Sequence, residues 1–193
     1  MTNTGPAVLP YMYLGAKHMV TGVDHMLYLA GIIFFLRRFR DVAVYVSLFA
    51  LGHSITLLAG VIGGIHADAR LVDAIIGLSV AYKAFENIGG FKALGVQPDP
   101  KLAVLMFGLF HGFGLATKLQ QFAISPDGLA INILSFNVGV ELGQVLALTA
   151  MLAVFVLWRR LGQFEKHAFA ANFLLMTAGF VLMGFHLREY FLS

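Results

Sequence analysis

Apolar residues run along this chain in long stretches, each bounded by charged residues or by Gly/Pro punctuation. A helix that crosses a bilayer needs about 20 largely apolar residues. Six stretches reach that length, near 9–36, 41–63, 70–90, 101–121, 129–158 and 168–190. The first and fifth are long enough to tilt or to contain a break. The connectors are short: Arg37 to Arg40, Gly63 to Asp68, Gly89 to Pro100, Ser125 to Gly128, and Arg159 to His167. The pattern predicts an all-α fold, a polytopic membrane helix bundle with six transmembrane helices forming a single domain over residues 1–193.

Composition sharpens this. Hydrophobic residues make up 59% of the chain and charged residues 12%, against about 45–50% and about 25% in soluble domains. A water-soluble globule and a disordered chain are both excluded. The absence of cysteine removes disulfides, thiolate metal sites, iron–sulfur ligation and thiol nucleophiles. The net charge of +3 comes from scattered Lys and Arg and is no nucleic-acid footprint.

Positive charge sorts by side instead. Connectors one, three and five carry Arg37, Arg38, Arg40, Lys92, Lys101, Arg159, Arg160 and Lys166, whereas the other side holds Lys17, Arg70, Lys118 and Arg188. The positive-inside rule then puts both termini on the non-cytoplasmic side of the inner (plasma) membrane. Residues 1–6 contain no basic region and no cleavage-like site, so no signal peptide is expected.

Ionisable groups inside membrane spans cost at least ~2.5–3.5 kcal/mol each on insertion scales, which makes them functional candidates. His53 and His111 fall at the centres of spans two and four, and Glu141 lies close to the centre of span five. His18, Asp24 and His25 flank the centre of span one. Histidine and carboxylate groups from four helices therefore share one depth. Asn137, Glu141 and Gln144, at i, i+4 and i+7, form one polar stripe flanked by Gly139 and Gly143.

His18 and His25 are separated by about 10.5 Å along an unbroken helix, too far to share one ion with metal–nitrogen bonds of about 2.0–2.1 Å. Either the helix unwinds near Gly22 or the two rings serve different sites. Asp24 can be a ligand or can orient a histidine. A ligand set of imidazole and carboxylate without thiolate suits Ni, Co, Zn, Cu(II) or non-haem iron. Ser54, Thr56, Asn137 and Gln144 are candidates for supporting the ligands or replacing hydration, and His186 for an outer access point. A proton path through the same groups is an alternative. His66 and His167 are expected to be solvated. Lys83 and Glu86, at i, i+3, are expected to pair, and Asp73 to be solvated near the outer interface. No Gly-x-Ser-x-Gly elbow and no Gly-x4-Gly-Lys-Ser/Thr loop is present.

The pattern His-x5-Asp-His over His18, Asp24 and His25 resembles the signature of the HupE/UreJ membrane proteins, accessory proteins of hydrogenase and urease. Similar blocks follow in order: Gly52 to Leu57, Asp73 to Asn87, Phe110 to Ala116 and Phe136 to Gln144. Position 73, usually Glu in that family, is Asp here, and the signal peptide of many relatives is not found. The resemblance implies a six-span inner-membrane protein associated with nickel, in some members a nickel permease. It places the family's motif residues on His18, Asp24 and His25, with His53, His111 and Glu141 in the later blocks.

The reading that follows is a nickel (or cobalt/zinc) permease in which the ion enters from the outer side past His18 and reaches a midplane site of Asp24, His25, His53, His111 and Glu141. An intramembrane metalloenzyme, with Glu141 as general base, and a non-transporting assembly factor that hands metal to a maturation partner are the alternatives.

Overall fold

The computed structural model describes residues 5–120 and 128–192. The predicted connector at Ser125, Pro126 and Asp127, the last residue of the fourth predicted span and residues 1–4 lie outside that set. Helices α1 (Val8–Thr21), α2 (Val23–Ile33), α3 (Phe39–Ile62), α4 (Ala69–Asn87), α5 (Gly90–Ala93), α6 (Pro100–Gln120), α7 (Leu129–Arg160) and α8 (Phe164–Phe191) follow one another, with no strand among the described residues.

Local chemistry sets the ends. Asp68 caps α4, its carboxylate accepting from the Arg70 and Leu71 amides at 2.9 and 3.2 Å, which satisfies amides that have no intrahelical partner. Asp99 does the same before α6, accepting from Lys101 N at 2.8 Å. The first predicted span is broken into α1 and α2 at Gly22, whereas the fifth is one continuous helix of 32 residues. The short α5 sits in the third connector.

Four helices, α3, α6, α7 and α8, are long and apolar enough to cross a membrane. The chain is thus a multi-pass membrane protein. Helix α4 is 19 residues long but carries Arg70, Asp73, Lys83 and Glu86, and α1 and α2 are each shorter than a full crossing. Many large apolar side chains, including Leu9, Phe39, Leu146 and Leu174, point outward, as a hydrocarbon solvent allows.

Packing is organised in three close pairs, α1 with α7 and α3 with α6 running parallel and α4 with α8 antiparallel. Each seam is built on small residues. A Cβ on Gly15 would strike the Phe136 carbonyl, one on Gly112 the His53 carbonyl, and one on Gly179 the Ala81 amide. Between helices in lipid, such close backbone approach replaces the hydrophobic drive that water would supply. Helix α2 fills the space among the pairs, and its Tyr28, Leu29 and Ile33 join Met19, Phe49 and Leu57 in the buried core.

Two ion pairs tie helices and turns within this frame. Lys83 and Glu86 pair at 3.0 Å, as their spacing predicts. Asp73, expected to be solvated, is instead almost buried and pairs with Lys118 of α6 at 2.8 Å. The antiparallel α4 and α6 bring the first turns of one beside the last turns of the other, so a carboxylate there is offered a cation before it is offered water.

Candidate metal centre

The site begins with the break at Gly22. Its amide closes on the His18 carbonyl at 2.9 Å as the last turn of α1, and its ψ of 102° leaves the helical region. Helix α2 restarts at Val23 in a new direction. His18 and His25, seven positions apart, are thereby brought to a ring-centroid distance of 5.0 Å in an edge-to-face arrangement. Of the two arrangements the spacing left open, the unwound one is realised.

Asp24 stands in the first turn of α2 and turns back on its neighbour. Its Oδ1 accepts from the His25 amide at 2.9 Å and lies 3.0 Å from His25 Nδ1. A proton on Nδ1 donated to that carboxylate leaves the Nε2 lone pair free, the arrangement seen where a carboxylate orients a metal-binding imidazole.

Helix α3 contributes His53 and α6 contributes His111, joined by the Gly52–Gly108–Gly112 seam. The ring of His25 lies 5.9 Å from that of His53 and 4.8 Å from that of His111. His111 Nδ1–H donates to the Phe107 carbonyl at 2.8 Å, so its Nε2 too is left as a lone pair. Phe49 packs against the rings of His25, His53 and His111, and Phe136 against His18. Tyr28 stacks on His111 at 5.2 Å. These aromatics exclude water from the imidazoles. His25 is 2% exposed and His53 1%.

Buried polar atoms almost always have a partner. Here His18 Nε2, His25 Nε2, His111 Nε2 and both ring nitrogens of His53 have none. One nitrogen from each of His18, His25 and His53 lies within 4.8 Å of the other two. Nitrogens on a shared tetrahedral ion at bond lengths of about 2.0–2.1 Å stand about 3.3–3.4 Å apart. A shift of up to about 0.8 Å per nitrogen, within reach of a rotamer adjustment, closes that difference. The donor set fits a borderline transition metal: three imidazole nitrogens, no competing hydrogen bonds and no thiolate. His111 adjoins the three through His25 rather than closing the group.

The whole chain, residues 1–193, matches the family model described as HupE / UreJ protein. The chain belongs to the HupE/UreJ family. No curated protein and no solved structure matches it. In this HupE/UreJ protein the histidines of the His-x5-Asp-His pattern are the residues that the Gly22 break folds together.

The remaining candidates sit elsewhere. Glu141 is exposed on α7 and lines a cavity between α3 and α7 that no histidine lines. The cause is the flanking glycines: Gly139 and Gly143 face α1, where Cβ atoms would strike Met12 and Ala16. Glu141, two residues from each, therefore points to the other side of the helix. Asn137 and Ser54 bond to each other across the cavity wall, Asn137 Nδ2–H donating to Ser54 Oγ at 2.8 Å. Gln144 donates to the Val46 carbonyl at 3.2 Å, and Thr56 to Leu109 O at 2.6 Å. His186 lies 3.3 Å from Glu189 at the far end of α8. Phe49 and Tyr28, which shield the rings, carry no signal in a single sequence, since any apolar helix offers such aromatics. The Asp73–Lys118 pair was findable, because both residues fall near the same membrane face.

Proposed function

We propose that this protein is an inner-membrane permease for a divalent transition metal, nickel being the ion that its family resemblance implies. One observation carries the reading: three imidazole nitrogens from α1, α2 and α3 converge, buried and without partners. A buried donor or acceptor left unpaired costs about 1–3 kcal/mol, so their joint presence is best accounted for by a cation that they bind. In this reading the ion arrives from the non-cytoplasmic side at His18, which is the least buried of the three. Asp24 holds His25 in its binding tautomer, and Phe49 and Phe136 keep water out. Six crossings follow if α1 and α2 together make one broken span and α4 crosses with its charges paired. Broken helices are common at the binding sites of transporters. Both termini then lie outside the cytoplasm.

The depth of enclosure favours a second reading. His25 and His53 are almost fully buried, and an ion held there by nitrogen alone leaves slowly. A retained metal points to an intramembrane metalloenzyme, in which these residues would hold an ion able to activate water. A metal-delivery partner of the maturation type remains compatible with either.

Metal content by mass spectrometry, measured on purified wild type and on His18→Ala, His25→Ala and His53→Ala variants, separates these readings when combined with nickel flux into liposomes. Flux that each substitution abolishes supports the permease. Stoichiometric metal without flux supports the second reading. Neither metal nor flux in wild type rejects both.

A further inference from the structure

We propose that the cleft between α3 and α7 is a second cation station, built of oxygen, that takes a hydrated divalent ion on Glu141. The idea deepens the metal-handling reading and rests on it only for the destination of the ion.

Asp24 pairs with His25, Asp73 with Lys118, and Glu86 with Lys83, and Asp41 stands in the first turn of α3, at the very end of its span. Glu141 has neither an ion pair nor a hydrogen bond among the described residues. It faces a cavity of about 450 Å³ whose lining contains no cationic side chain. A carboxylate at this depth in a hydrocarbon-facing helix requires a compensating charge or donor.

A second observation points to the same occupant. Gln144, 2% exposed, lines the cavity one turn along α7. Its amide nitrogen is fixed by the Val46 carbonyl, and its Oε1 is buried without a partner. Ser54 and Asn137 add oxygens already oriented by their mutual hydrogen bonds. Glu141, the Gln144 Oε1 and the oxygens of Ser47, Ser54 and Asn137 thus line one wall with acceptors, and the set favours an electropositive occupant.

The chemistry differs from that of the histidine group. One carboxylate with neutral oxygens suits a hard cation that keeps much of its water, as Mg²⁺ does. A six-water shell occupies on the order of 200 Å³ at about 30 Å³ per water, which the cavity holds. Ser54 is the next residue after His53 on α3. The cleft and the nitrogen ligands therefore share adjacent residues of one helix.

The test is equilibrium binding of Ni²⁺ to the purified full chain, with and without excess Mg²⁺. Wild type is expected to show a tight class insensitive to Mg²⁺ and a weak class that Mg²⁺ displaces. Glu141→Gln should weaken only the second class, by more than about tenfold, and Gln144→Leu by about tenfold. His53→Ala should remove only the tight class. Glu141→Asp, which keeps the charge, should retain the weak class, and thermal unfolding of each variant shows that the fold persists. A weak class that is missing in wild type, is unchanged in Glu141→Gln, or disappears together with the tight class in His53→Ala overturns the proposal. Loss of the tight class alone in wild type rejects the histidine site and leaves the cleft to be judged on the Glu141 variants.

Discussion

His18 and His25 meet edge to face with their centroids 5.0 Å apart because Gly22, between them, ends one helix and begins another. On a continuous helix the same two side chains would stand about 10.5 Å apart along the axis. The backbone break is thus what converts a seven-residue spacing into a chelating pair.

The break also leaves no room. A Cβ on Gly22 would lie 3.0 Å from the His18 carbonyl, 3.0 Å from His25 Nδ1 and 3.2 Å from Asp24 Oδ1. The φ of −71° is open to any residue, so Gly22→Ala should fold and its cost should fall on the site. We expect Ni²⁺ affinity to drop by about 10–100-fold, as when the groups that orient metal ligands are disturbed. Helix content by circular dichroism should be unchanged. Wild-type affinity in this variant would show that the His18–His25 geometry does not set binding.

His53 gives a test that separates binding from stability. Both of its ring nitrogens are buried and unpartnered, so in the metal-free protein the ring is a liability. His53→Leu fills similar volume without polar atoms and should raise metal-free stability by about 1–2 kcal/mol. It should also abolish the stabilisation that nickel gives wild type, about 2.7 kcal/mol at a free ion concentration of 100 Kd. Thermal unfolding with and without Ni²⁺ reads both. A variant less stable than wild type without metal would mean that His53 has a structural partner after all.

How much of this was legible in the sequence follows from which forces act locally. Helix positions were, because span length and apolarity are set by the bilayer, and the long helices begin and end within a few residues of the predicted stretches. The approach of His25 to His53 follows from their common depth, whereas the joining of His18 to them depends on the Gly22 break, which the spacing leaves open. Depth alone, however, says nothing of azimuth. Glu141 shares the depth but faces a different cavity, since Gly139 and Gly143 commit the opposite side of α7 to α1. That commitment depends on which helix is the neighbour, which no single span encodes. Asp73 is a different case: Lys118, 45 residues away, falls near the same membrane face, so the pairing was within reach of the sequence, and depth by itself left the choice between cation and water open.

Asp24 tests the orienting role. Asp24→Asn keeps an oxygen that can accept from the His25 amide but loses the charge that holds the Nδ1 proton. Nickel affinity is expected to fall by about 10–100-fold, whereas His25→Ala should abolish tight binding. Isothermal titration of both variants makes the comparison. Equal losses would mean that Asp24 is itself a ligand rather than the support of one.

The buried pair Lys83–Glu86 supplies a prediction away from the metal. Lys83 is 7% exposed, and its Cγ is packed where a Cβ on Gly31 of α2 would lie 3.1 Å away. Asn87, the residue after Glu86, donates to both Gly31 O and Asn172 Oδ1 at 2.8 Å. Glu86→Gln would leave the ammonium in place with no counter-charge, a change that costs about 3–5 kcal/mol when a buried pair loses one member. The partial exposure of Glu86 puts the expectation at the lower end. Removing both charges in Lys83→Met/Glu86→Gln should restore most of that loss, because the pair then has no charge left to desolvate. Nickel affinity should be retained in the double variant, since neither residue touches the imidazoles. Denaturant unfolding in micelles, run as a double-mutant cycle, measures the coupling directly. A Glu86→Gln protein as stable as wild type would show that Lys83 reaches water or lipid headgroups, and that α2 is held against α4 by Asn87 and close packing alone.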